Sequence, residues 1–133
     1  MANLQEQLVV QLQTTEISTS NVVSTQSDSY SNSNLTSMAY SDFAVTGGTG
    51  VETQIPLPFS PAHGIYLKNL SSTAGQGLTV KITPAGGAEA VAIVLQPGGC
   101  LVYFDTLVTS NGFTQISVTA ISGATNYAYK IFG

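Results

Sequence analysis

The sequence predicts an all-β chain, an antiparallel β-sandwich of about eight or nine strands in a jelly-roll-like arrangement. Three observations carry this expectation. Short runs alternate apolar and polar side chains with the period of two that a half-buried strand requires. Turn residues separate these runs at intervals of roughly a dozen residues, too short for the crossovers that parallel strands need. No apolar stripe of helical period lies between them, so a second sheet has to cover the first.

Taken in chain order, "QLVVQLQ" (7–13) alternates Leu8, Val10 and Leu12 with Gln11 and Gln13 and is expected as a strand. Residues 14–37 are crowded with Ser, Thr and Asn, broken by Ile17, Val22, Val23 and Leu35. They read as a flexible linker or as polar strands with an extended arm, because apolar residues are sparse and β-branched ones frequent. "LTSMAYSDFAV" (35–45) is a further strand, ended by "TGGTG". "ETQIPLPFSPAHG" holds Pro56, Pro58 and Pro61, which suits an edge or crossover segment and no central strand.

From residue 64 the signals become regular. "GIYLKNLSS" (64–72) meets "GLTVKITP" (77–84) across Ala74-Gly75-Gln76, and Pro84-Ala85-Gly86-Gly87 turns the chain into "EAVAIVLQ". Pro97-Gly98-Gly99 reads as a hairpin turn, with Cys100 opening the return strand "CLVYFD". Asn111-Gly112, favoured where central turn residues need positive φ, joins a strand ending near Val108 to "FTQISVTAI". Ser122-Gly123 leads to "NYAYKIF". Residues 1–133 are expected as a single domain, with 14–37 its arm-like part.

Composition narrows the function. A chain of 133 residues buries roughly two-thirds of its unfolded surface, and 43% hydrophobic residues fill such a core. Only 8% of residues are charged, so the surface is neutral and polar, suited to lying against other protein. Lys68, Lys81 and Lys130 are the only basic side chains apart from His63, and the net charge is −4. Neutralising phosphates or an anionic bilayer takes more cations than that, so neither nucleic acid nor membrane is expected as a partner. The N-terminus lacks a basic segment followed by an apolar one, and the longest apolar run, "AVAIVL", is far short of the ~20 residues of a membrane span. A soluble chain made in a cytoplasm is expected. The sequons at Asn34 and Asn69 then carry little meaning.

Chemistry has few places to reside. Cys100 is the one cysteine and His63 the one histidine. A thiolate needs a base, a cation or a helix N-terminus, whereas Cys100 is followed by Leu, Val, Tyr and Phe. A packed or partly buried thiol is the expectation. A Ser/His/Asp set drawn from His63 with Asp42 or Asp105 lacks a Gly-x-Ser-x-Gly elbow. One His and one Cys build no structural zinc site, and "SDSYSNSN" (27–34) offers calcium only the charge of Asp28. "TGGTG" lacks the Gly-Lys-Ser/Thr of a phosphate loop. No catalytic residue, cofactor or metal is therefore expected. Tyr30, Tyr40, Tyr66, Tyr103, Tyr127 and Tyr129 are suited to core or interface packing, or to a sugar platform with Asn or Asp beside it.

Two strands, "EAVAIVL" and "CLVYF", are apolar at both parities, and a strand apolar on both faces is covered on both faces. Either they are central strands covered by the N-terminal half, or they form a subunit interface. The low charge favours the interface, since interface cores are depleted of charge. The candidate interface residues are Val91, Ile93, Val94, Leu101, Val102, Tyr103 and Phe104.

"GIYLKNLSSTAGQGLTVKI", "LQPGGCLVYFD" and "ISVTAISGATNYAYKIF" together resemble small structural proteins of tailed bacteriophage particles, over residues 64–133. These are capsid decoration (cement) proteins and small tail or baseplate proteins with jelly-roll or immunoglobulin-like sandwiches. The resemblance implies a non-enzymatic virion component, a dimer or trimer, docked on the major capsid protein or another virion protein. The alternative within that class is a tail, receptor-binding or carbohydrate-binding module.

Overall fold

The computed structural model describes residues 4–35, 38–57, 60–86, 89–104 and 112–133. They contain ten strands and no helix, and the chain divides into two compact units, Met1–Leu35 and Thr36–Gly133.

The first unit is one antiparallel hairpin of β1 (Leu4–Thr15) and β2 (Val22–Leu35), in register from Leu12 opposite Gln26 to Thr14 opposite Ser24. The polar stretch that follows residue 14 is thus, as far as Leu35, the end of one strand, a turn and a second strand. Backbone pairing needs no apolar side chains, so a Ser/Thr/Asn-rich segment can form a strand here. At the tip the Glu16 carbonyl accepts the Ser20 amide at 2.8 Å, and the Glu16 amide donates to the Asn21 carbonyl at 2.9 Å. The Glu16 carboxylate accepts the hydroxyls of Thr19 at 2.7 Å and Ser18 at 3.0 Å. These bonds hold its carboxyl below the ordinary carboxylate range. Val9, Leu12, Ile17, Val22 and Val23 are all exposed.

The second unit comprises β3 (Met38–Val45), β4 (Glu52–Gln54), β5 (Gly64–Asn69), β6 (Leu78–Pro84), β7 (Val91–Leu95), β8 (Cys100–Phe104), β9 (Phe113–Ala120) and β10 (Asn126–Phe132). They form two four-stranded antiparallel sheets, ordered β3-β10-β5-β8 and β4-β9-β6-β7. The expected antiparallel β-sandwich is therefore the fold of this unit. Alternation decides the faces. Ile65, Leu67 and Ile131 point inward from the first sheet, against Leu78, Val80, Ile116 and Val118 from the second, all with 1% exposure or less.

Only β6 and β7 are consecutive strands paired within one sheet of this unit; the other connections pass from sheet to sheet. Two expectations are corrected by this. The segments 64–72 and 77–84 do not pair, because β5 and β6 lie in opposite sheets. Nor is Pro97-Gly98-Gly99 a hairpin turn, since β7 and β8 also lie in opposite sheets. The reason is turn chemistry. The Gly99 amide donates to the Gln96 carbonyl at 2.8 Å and Gly98 has φ 77°, which with proline at the second position is a type II turn. Type II turns oppose the strand twist that hairpins need, and here one carries the chain across the sandwich. The strand expected to end near Val108 lies outside the described residues.

Asn69 anchors that crossing. Its buried side chain donates to the carbonyls of Gln76 at 2.9 Å and Leu95 at 3.2 Å, and its Oδ1 accepts the Ser71 amide at 3.0 Å. Its backbone exchanges bonds with Gly98 and Gly99. A residue with 0% exposure and every amide atom engaged offers no attachment point for a glycan in the folded chain. Gly112 (φ 95°) passes so close to Ala62 that any Cβ would strike the Ala62 carbonyl oxygen.

Candidate interaction site

Both sheets end on the same flank. β8 has β5 as its only neighbour and β7 has only β6, so among the described residues each leaves one side of its backbone without a paired strand. Of the two alternatives, the one that makes these central strands is thereby excluded; two-faced apolarity here belongs to edges. Register places Val91 and Ile93 opposite Ile82 and Val80, hence on the inward face, yet they are exposed by 54% and 37%. Across the gap, Leu101 and Tyr103 lie opposite the inward Leu67 and Ile65. The sheets do not close over one another at this flank, and an apolar cleft of about 200 Å³ remains between them.

The second sheet contributes Ile82, Pro84, Val91 and Ile93 to the cleft, and the first contributes Leu101, Val102 and Tyr103. Phe113 closes the inner end, its ring edge-on to Tyr103 with centroids 6.3 Å apart. Five of the seven sequence-predicted residues therefore gather here. Val94 instead points outward, opposite Thr79, and is 52% exposed. Phe104 packs edge-on to Phe132 at 6.3 Å, over Gly64, where a Cβ would come within 2.8 Å of the Phe104 ring.

Cys100 and His63 are not brought together. The register of β5 and β8 sets Cys100 opposite Lys68 and Phe104 opposite Gly64, so His63 lies at the far end of the pair, roughly 16 Å away along the strand. Cys100 is exposed, correcting the expectation of a packed thiol, because its parity on β8 is that of the outer face. His63 is buried, with its amide bonded to the Phe132 carbonyl at 2.7 Å. Among the described residues no three acidic, His or Cys side chains cluster as metal ligands would.

One feature of the outer face lay beyond the sequence reading. On the first sheet, Tyr40 of β3 and Tyr66 of β5 both stand opposite Lys130 of β10. Next to them β3 bulges: between the pairs Tyr127–Ala44 and Tyr129–Ser41, Asp42 and Phe43 both face Ala128. A depression of about 400 Å³ results, lined by Tyr40, Ser41, Asp42, Tyr66, Ala128 and Lys130 among others. The bulge is defined by the register of β3 against β10, two distant segments of the chain.

Compared with protein families, with characterised proteins and with solved structures, the chain matches none.

Proposed function

We propose that this chain is a non-enzymatic assembly protein of a virus particle, a capsid decoration protein that docks on the major capsid protein through the β7/β8 flank. The observation that carries the reading is that flank: two unpaired apolar edge strands, neither bearing a charge or a proline, around an apolar cleft. Unpaired edges of this kind recruit further strands or apolar partners. The strand order, with all connections but one crossing between four-stranded sheets, supports reading the sandwich as a jelly roll. In this reading the chain is a homodimer or homotrimer on the particle surface, and neither nucleic acid nor membrane is a partner.

Light scattering of the purified chain, with co-sedimentation on empty shells of the major capsid protein encoded beside it, tests the proposal. A dimer or trimer that saturates the shells is the expected result. A monomer at micromolar concentration that leaves the shells bare overturns it.

A further inference from the structure

We infer that the depression on the outer face of the β3-β10-β5 surface is a saccharide-binding site, in which a pyranose ring sits over Ala128, beside Tyr40 and Tyr66. The reasoning starts from the ladder. Tyr40 and Tyr66 flank the same residue, Lys130, so their backbones are two strand spacings apart, roughly 10 Å. Both are well exposed, at 63% and 38%, which the core does not require and which costs apolar contact with water. A tyrosine ring offers an apolar face of negative quadrupole and a polar tip, matching the C–H face and the hydroxyl rim of a sugar.

The floor of the depression is open for a physical reason. Ala128 is the smallest side chain on that stretch of β10, lying between the β3 bulge and Lys68. The Lys130 ammonium lies 5.2 Å from the centroid of the Phe132 ring, drawn along its own strand and away from Ala128. The bulge then supplies what a flat strand lacks. It sets Phe43 beside Asp42, which shares the outer face with Tyr40, so that both lie opposite Ala128, and the Ser41 hydroxyl accepts the Phe43 amide at 3.3 Å within it. Asp42 presents carboxylate acceptors to sugar hydroxyls, while the phenols of Tyr40 and Tyr66 present donors.

The balance of groups selects the ligand class. One carboxylate beside one ammonium favours a neutral or weakly charged sugar over a phosphate-rich ligand, which needs several cations. A peptide strand is drawn to unpaired backbone, whereas Ala128, Lys130 and Tyr66 sit on strands paired on both sides.

The test titrates the full chain with methyl pyranosides of glucose, galactose, mannose and N-acetylglucosamine, read by amide NMR shifts, beside a printed array of bacterial glycans. Saturable binding near about 1 mM for a single ring is expected, with shifts centred on Tyr40, Tyr66 and Ala128. Tyr40→Ala and Tyr66→Ala each weaken it by about tenfold or more. Ala128→Phe fills the floor and abolishes it. Unchanged thermal midpoints of the two tyrosine variants exclude unfolding as the cause. Failure of every sugar to bind, binding that survives Ala128→Phe, or preference of this face for a peptide overturns the inference.

Discussion

On one flank of the sandwich β3 and β4 carry devices that discourage a sheet edge from recruiting another strand, whereas on the other flank β7 and β8 carry none. β3 has its bulge and the charge of Asp42, and β4 is three residues long and carries the charge of Glu52. Glu52 of β4 also accepts the Ser117 hydroxyl at 2.6 Å and lies 4.0 Å from the Lys81 ammonium. Phe43 and Val45 are exposed on β3, but the bulge kinks that edge out of line. "VAIVL" and "CLVYF" have no proline and no charge. A sheet edge becomes a recruiting surface through the absence of these devices, and it is this contrast that supports assigning the β7/β8 flank the docking role in the proposed function.

That comparison is open to attack at several levels, beginning with the device that sets β7 and β8 in place. Asn69→Ala strands the carbonyls of Gln76 and Leu95 without a donor, at a cost of about 3 to 4 kcal/mol. Urea unfolding is expected to show that loss, with a slope unchanged from the parent. A loss under about 1 kcal/mol means that the crossing is held by its turn alone.

Next come the edges themselves. Val94→Lys or Val102→Lys places a charge at an exposed, outward edge position, where the isolated chain tolerates it within about 0.5 kcal/mol. Self-association is expected to weaken by about two orders of magnitude, near 3 kcal/mol, in sedimentation equilibrium. Val45→Lys on β3 is the matched control and leaves association unchanged. If the control dissociates the oligomer and the other two do not, the flanks have been assigned the wrong way round.

A smaller effect concerns the core beside β3. Tyr127 is buried, and desolvation, with the neighbouring Tyr129 phenol as a lesser cause, raises its ionisation above the ordinary tyrosine range. Its folded form holds the proton more tightly than the unfolded chain does. Stability from this group is therefore intact below about pH 10 and declines as the pH climbs beyond it. Ultraviolet titration is expected to show one late phenol, removed by Tyr127→Phe.

The smallest effect is at the hairpin tip. Glu16 titrates below its ordinary value when the turn is formed, so its contribution is present above about pH 4.3 and fades as the pH falls through the lowered value. Amide shifts of Thr19 and Asn21 are expected to follow that titration. Glu16→Gln makes them insensitive to acid.

Much of this structure was legible locally. Leu78, Val80 and Ile82 against Thr79, Lys81 and Thr83 announced β6 and its inward face before any partner strand was known. Among the described residues from 64 onward, the breaks at Gly75, Gly98 and Gly123 fall between strands as expected, because turns are short-range chemistry. The two-faced apolarity of β7 and β8 was also legible, and five of their seven apolar candidates line the cleft. Their setting was not, because "VAIVL" reads the same at an edge as at the centre of a sheet. The paired tyrosines were out of reach for the same reason. Tyr40 and Tyr66 are 26 positions apart, and only β10, arriving at the end of the chain, sets them side by side.

By itself the sequence determined that the chain is all-β, where most strands begin and end, and which of their side chains face inward. Each of those follows from steric and solvation preferences within a few residues. Tertiary structure alone decided which strands became edges, that the Pro97-Gly98-Gly99 turn spans two sheets, and that a bulge opposite Ala128 opens a depression. Those outcomes depend on pairings between distant segments such as β3 with β10. Their free energy comes from the whole sandwich closing at once, and no local pattern of residues records it.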